Sequence, residues 1–342
     1  MAITTISDLF TPDIWINGAA EKMAKYPSFI NSGVIASSSL FDQIASGAGI
    51  SANIPFFKDI TDDSDGVQAE DTAPTPGEIT TATQICTILN REKAYRSTAL
   101  ARQVSGQDPV NAVLQQLAAG RAKRFQSAAV SVLRGAFNGL GLADAAAPLS
   151  ATRVDSFDES GTDATTEQSM SADLFITAKA LMGELSNDLA GGAIITHSNV
   201  VAQLEINDKG SFRDGVESNL PFTVRTYRGV PIFVSDNLVR AGVTNGYVYE
   251  TYILAPGVLA IGMKGQTNST DVSSLQYWND PDKNNETIYD RNRFMVHLNG
   301  MRWGGSPSAQ SATNAELYTA SNWTLVYSSA PRVGAVCIRT NK

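Results

Sequence analysis

The sequence predicts an α+β fold on three observations. One long amphipathic helix runs uninterrupted from Asp108 to Asn138. Directly before it stand two strand-like runs split by an acidic, Pro/Gly-rich tip. After it, helical and strand patterns alternate over residues 171–263 and then give way to mostly strand. Helices grouped beside sheets, with one unbroken rod, fit a layered α+β chain of about two domains at roughly 150 residues each.

The helix follows from its side chains. Asp108 is a good N-cap, because its carboxylate accepts from unpaired amides of the first turn. Pro109 occupies the first helical position, where its missing N–H is not needed. Val110, Val113, Leu114, Leu117, Phe125, Ala128, Ala129, Val132, Leu133 and Phe137 recur at intervals that trace one apolar stripe. Asn138-Gly139 supplies a left-handed stop. The rod is roughly 45 Å long, well beyond the common helix of about 11–12 residues. An ordinary core helix of a large domain is the competing reading.

Residues 51–98 carry the hairpin signal. Asn53–Ile60 and Gln84–Arg96 are strand-like, and the connection TDDSDGVQAEDTAPTPGEITTA is acidic and full of breakers. A loop of about 20 residues is uncommon inside a compact domain. The expected role is an exposed arm that meets a neighbouring subunit through Phe56, Phe57, Lys58, Asp62, Asp63, Asp65, Glu70, Asp71 and Glu78. A plain surface loop is the alternative. Upstream, a short helix is expected from Thr11 to about Tyr26, and the Ser/Gly/Ala-rich stretch to residue 50 reads as an extended arm.

Beyond a small-residue linker, Ser171 is expected to cap a helix to about Ser186 with Leu174, Phe175, Leu181, Met182 and Leu185 inward. Ala193–Thr196 reads as a buried strand, and Ser198 as the cap of a helix over Asn199–Ile206. Val224–Val234 reads as two strands around Arg228-Gly229, followed by strands Tyr247–Ile253 and Val258–Met263. The later runs Val272–Tyr277, Arg293–Leu298 and Ala335–Arg339 have no local helix to cover them. They are expected to return onto residues 51–104 and lie against the long helix.

Of the 342 residues, 43% are hydrophobic and 18% charged, which allows a sizeable core under a weakly charged surface. The net charge of -8 argues against a sequence-specific DNA reader. Arg121, Lys123, Arg124 and Arg134 on the long helix are candidates to face phosphates without reading sequence, or are simply its wet face. Cys86 and Cys337 lie in apolar runs with no metal spacing, so buried free thiols are expected. The N-terminal stretch lacks the pattern of a signal peptide, and no apolar run reaches the roughly 18 residues of a membrane helix. A soluble protein made in a reducing cytoplasm, with no membrane partner, is expected.

No catalytic constellation emerges, and no cofactor or metal is expected. Ser235-Asp236-Asn237 matches one β-lactamase motif, but Ser-x-x-Lys and Lys-Thr-Gly are missing. A serine triad would need His197 or His297, and each reads better as a structural histidine. The calcium-loop candidates at Gly66 and at Asp280, Asp282 and Asn284 lack required ligands and read as solvated turns. A hydrolase built on residues 171–263 with Ser235 or His297 is the least favoured reading.

The order of elements resembles the major capsid proteins of tailed bacteriophages, with the Hong Kong 97-type fold. Tyr227–Leu238 (YRGVPIFVSDNL) is similar to the family's Gly-x-Pro strand followed by Ser-Asp. Phe294–Trp303 resembles its His-Pro-x-Gly region, with Leu298 where proline is usual. Asn322-Trp323 and Val333–Ile338 fit the branch with an extra C-terminal segment. The resemblance implies an N-terminal arm at 1–50, an extended loop at 51–98, and a peripheral domain of 99–150 and 266–342 with spine helix 108–138. It implies an axial domain at 151–265.

Its functional implication is a non-enzymatic shell subunit forming hexamers and pentamers of an icosahedral head around double-stranded DNA. Implied partners are a scaffolding protein, a portal, a decoration or cement protein and the DNA, held non-specifically. The implied location is the virion, after assembly in the host bacterial cytoplasm. No long fused scaffolding region is visible, so a separate scaffolding protein is expected. Lys58 has no recognisable Asn partner, so no cross-link is expected. An encapsulin-like compartment shell is the alternative.

Overall fold

The computed structural model describes residues 34–59, 78–99, 109–137, 147–157, 168–187, 189, 191–214, 225–241, 247–266 and 271–341. The expected helix at 11–26 and the acidic tip of the hairpin lie outside them. In chain order the elements begin with β1 (Ile35–Ser37), α1 (Ser39–Ser46), β2 (Ser51–Phe57), β3 (Thr81–Thr98) and α2 (Pro109–Phe137). They continue with β4 (Arg153–Ser156), α3 (Ala172–Ala180), β5 (Ala193–Thr196), α4 (Ser198–Asn207), β6 (Phe212–Asp214), β7 (Arg225–Tyr227), β8 (Val230–Val234) and β9 (Val239–Ala241). The last are β10 (Tyr247–Leu254), β11 (Leu259–Met263), β12 (Ser274–Asp280), β13 (Asn285–Leu298), β14 (Met301–Trp303), α5 (Asn314–Tyr318), β15 (Trp323–Leu325) and β16 (Ala335–Thr340).

A six-stranded sheet has the order β1-β11-β13-β3-β2, with β12 also on β13. The hairpin pairs antiparallel from Ser51↔Thr87 to Phe57↔Thr81. Further along, β3 pairs with β13 from Ile88↔Met295 to Thr98↔Asn285. The late strands therefore return onto the hairpin strand, and α2 lies against β13 and β3. An eight-stranded sheet has the order β4-β16-β10-β5-β8-β7-β6, with β9 on β10. Its centre, β10, is Val/Ile/Tyr-rich and buried from Val248 to Leu254, as expected for a strand covered on both faces.

The helix α2 has 29 residues, about 44 Å at 1.5 Å each. Its C-terminal half is buried more widely than one stripe: Val130 and Ala136 are covered as well as Ala128, Ala129, Val132, Leu133 and Phe137. The extra cover comes from α5 and Trp323. A Cβ on Gly135 would fall 2.1 Å from the Leu317 carbonyl oxygen and 2.5 Å from Trp323 Nε1. Only a glycine lets these elements approach so closely.

Four sequence expectations are corrected. The stretch before residue 50 is not wholly an extended arm. β1 joins β11 in parallel, and α1, capped by Ser38, packs Phe41, Ile44 and Ala45 near Cys86, Ile88 and Met295. The segment buries little alone but completes a sheet edge that would otherwise be bare. The helix from Ser171 stops at Ala180, and Gly183–Asn187 turns as a 3-10 segment beginning at φ 61. The cap of α4 is His197, whose Nδ1 accepts from Asn199 N at 3.1 Å, rather than Ser198. Finally, β11 leaves the α/β unit for the six-stranded sheet, while β16 enters the eight-stranded sheet between β10 and β4. Sheet membership is set by long-range register, which a run of apolar residues does not encode.

Candidate assembly surfaces

The hairpin stem presents two different faces. Alternation along β2 turns Ala52, Ile54 and Phe56 toward the body and leaves Ser51, Asn53, Pro55 and Phe57 outward. Phe56 meets Tyr327 edge-on with ring centroids 5.4 Å apart. Asp59 pairs with Arg332, and Lys58 N donates to the Thr80 carbonyl at 2.9 Å. Phe56 is thus half-buried and anchors the stem to the body of its own chain.

Phe57 stands 75% exposed and Ile79 73% exposed. Pairing of Phe57 with Thr81 puts Ile79 diagonally beside it on the same outer face. Ile79 is not among the residues the sequence suggests for this face, although an apolar residue two places before a strand with outward alternation is an available signal. Lys58 and Glu78 are exposed too, whereas Asp62, Asp63, Asp65, Glu70 and Asp71 lie outside the described residues. Beneath the stem runs a groove of about 910 Å³, bounded by Phe56, Asp59, Leu185, Tyr327 and Arg332.

The helix cations are mostly spent inside the chain. Arg121 reaches Asp290 at 2.8 Å and Arg124 pairs with the same carboxylate. Burial raises the pKa of Asp290, but the hydrogen bonds and charges of Arg124 and Arg121 outweigh it and hold the group below the usual carboxylate range. Arg134 Nε donates to Glu250 at 2.6 Å, and Arg240 reaches the other oxygen at 2.8 Å. Both carboxylates are fully buried. Of the four expected phosphate-facing residues, Arg121, Arg124 and Arg134 are therefore ion-pair partners of the fold, and Lys123 is exposed.

The candidate serine and histidines do not converge. Ser235 Oγ accepts from Gln126 Nε2 at 2.5 Å. His297 is fully buried on β13, and its Nε2 lies 2.8 Å from Gln84 Oε1. Burial holds its pKa down at about 4. His197 caps α4 beside Tyr249 and Asp236. Cys86 and Cys337 are buried free thiols, and burial pushes both thiol pKa values up. Among the described residues no group of His, Cys, Asp and Glu is placed to hold a metal, and no helix is long and apolar enough to cross a membrane.

No family model matches the chain. A major capsid protein of Bacillus phage SPP1 is 25% identical over 331 residues, covering 96% of this chain and 95% of that protein. The chain resembles phage major capsid proteins. Solved structures agree on the fold: the capsid of Ralstonia phage GP4 has a TM-score of 0.63 at 10% identity, covering 95% and 94% of the two chains. The capsid asymmetric unit of cyanophage Pam1 has a TM-score of 0.61 at 13% identity, covering 96% and 95%. An encapsulin complex from Synechococcus elongatus is more distant, with a TM-score of 0.50 at 11% identity over 95% and 92%. The likeness to phage capsid folds, mixed in α and β content, covers 95–96% of the chain.

Proposed function

We propose that this chain is the major capsid subunit of a tailed phage, with no enzymatic activity of its own. The observation that carries this is the end-to-end match to a named major capsid protein, 96% of one chain against 95% of the other. In this reading the fold is Hong Kong 97-type. Residues 1–50 are the N-terminal arm, 51–98 the extended loop, 99–150 and 266–342 the peripheral domain with α2 as spine, and 151–265 the axial domain, with β11 and β16 each pairing in the sheet of the other domain. The subunits assemble as hexamers and pentamers into an icosahedral head enclosing double-stranded DNA. Scaffolding, portal and decoration or cement proteins are the expected partners, in the host cytoplasm and then the virion.

The outer hairpin face supports a contact between copies, because Phe57 and Ile79 are large apolar groups left bare on a projecting stem. Lys123 is the helix cation available for non-specific phosphate contact. A compartment shell is the second reading, favoured by the shared encapsulin fold. The deciding experiment is to purify the chain, alone and with candidate scaffolding proteins, and examine it by sizing and electron microscopy. Closed shells are expected. A stable monomer at high concentration under every condition would overturn the reading, and shells filled with an enzyme cargo rather than DNA in vivo would favour the compartment.

A further inference from the structure

Arg293 is a buried cation on β13, and three of its four hydrogen bonds run to one short stretch of backbone. Its Nε donates to the Ala45 carbonyl at 2.8 Å, and one terminal nitrogen donates to Gly47 O at 2.6 Å and Gly49 O at 2.7 Å. The other terminal nitrogen donates to Asn90 Oδ1 at 3.2 Å on β3. Among the described residues no carboxylate pairs with it; the charge of Asp271 is felt only at longer range.

The chosen carbonyls matter. Ala45 is in the last turn of α1, whose final carbonyls have no partner within the helix. A cation there also meets the negative end of the helix dipole. Gly47 caps the helix, and Gly49, at φ 95, makes the left-handed kink from which β2 departs two residues later. Beside it, Ile88 N donates to Ile50 O at 2.8 Å.

We propose that Arg293 is a positioning residue for the hairpin. It locks the junction between α1 and β2 onto the central strand β13 and so fixes the angle at which the hairpin leaves the body. The planar fork suits the task, since it reaches several acceptors at once, whereas a lysine nitrogen acts from a single point. Loss of the fork frees the root of the hairpin while both sheets keep their cores. The consequence for assembly rests on the capsid reading; the consequence for the isolated chain does not.

The test is hydrogen exchange on the full chain with Arg293→Gln and Arg293→Lys. Amides of residues 44–54 should exchange at least about tenfold faster in Arg293→Gln, since hydrogen bonds from a charged donor are lost at a local hinge. Amides of β10 and β16 should keep wild-type rates, and Arg293→Lys should fall between. Unchanged rates at 44–54, or an equal rise across the whole chain, would overturn the proposal. If Arg293→Gln does not accumulate, Arg293→Lys carries the same test, and wild-type rates there refute it. Where the wild-type chain forms particles, Arg293→Gln should give few or misshapen ones, and normal yield and size would refute the positioning role. Failure of the wild type to form particles would count against the capsid reading and leave the exchange result to judge the clamp.

Discussion

Removing the charge of Glu250 is the sharpest probe of how the long helix is held. Its carboxylate is fully buried on β10 and binds Arg134 from α2 at 2.6 Å and Arg240 from β9 at 2.8 Å. Tyr252 OH lies 3.3 Å away, and both guanidiniums sit over the Tyr318 ring at 5.8 and 5.5 Å. Glu250→Gln keeps the shape but leaves two largely buried cations around a neutral amide. Breaking a buried pair by removing one partner costs about 3–5 kcal/mol, a large share of the roughly 5–15 kcal/mol that keeps a domain folded. For a folding unit of 150–250 residues, this corresponds to a fall in Tm of roughly 6–20 °C. Thermal and urea unfolding followed by circular dichroism would measure it. The triple change Glu250→Leu, Arg134→Met and Arg240→Met should recover most of the loss, because apolar groups of similar volume replace buried ion pairs at little cost. A loss below about 1 kcal/mol in Glu250→Gln, the range of exposed pairs, would refute the claim that this network anchors the helix.

Other outcomes are expected. His297 titrates at about 4 in the fold and near 6.5 when unfolded, so the unfolded chain binds the extra proton between those values. Its contribution is complete above pH 6.5 and falls by roughly 3 kcal/mol as the pH drops to 4; His297→Gln should flatten that part of the stability–pH curve relative to wild type. Gly135→Ala places a methyl against Leu317 O and Trp323 and should cost about 1–3 kcal/mol, with a red shift of the buried Trp323 emission. Thr313→Ala removes the capping box of α5 and should cost about 0.5–2 kcal/mol in denaturant titration. Phe57→Ser with Ile79→Ser should change stability by no more than about 0.5 kcal/mol yet block particle formation in the sizing assay, as should deletion of Thr61–Thr80.

What the sequence made legible was local. The periodicity and Pro109 start of α2, the Arg228-Gly229 turn with both residues at positive φ, and the strand pair around the acidic tip each depend on neighbours in the chain. What it hid depends on partners far away. Arg134 and Arg124 look like a wet helix face until their carboxylates, 116 and 166 residues distant, fold against them. Phe56 and Phe57 are adjacent and chemically identical, and only the pleat with Tyr327 on one side separates an internal anchor from an exposed ring. The exchange of β11 and β16 between sheets has the same origin, since both are short buried apolar runs that satisfy either sheet equally from sequence alone.

These distant contacts divide the molecule mechanically. Near its middle α2 is tied to the six-stranded sheet through Asp290, and near its C-terminus to the eight-stranded sheet through Glu250. Buried ion pairs add little net stability over apolar packing, but each binds at fixed geometry, so sliding either sheet along the rod must break a desolvated contact. Among the described residues no buried ion pair ties the hairpin stem to the rod, although α2 lies against the inner part of β3. The hairpin's β3 root is held by the ladder with β13 and its β2 root by Arg293, while its stem rests on Phe56 against Tyr327 and on Asp59 with Arg332, the last an exposed pair of small worth. Within the proposed capsid, a subunit built this way would keep one body shape while the hairpin stem adjusts. In the capsid role proposed for the chain, that is the distribution of stiffness a tile would need to fit rings of different size in one closed shell.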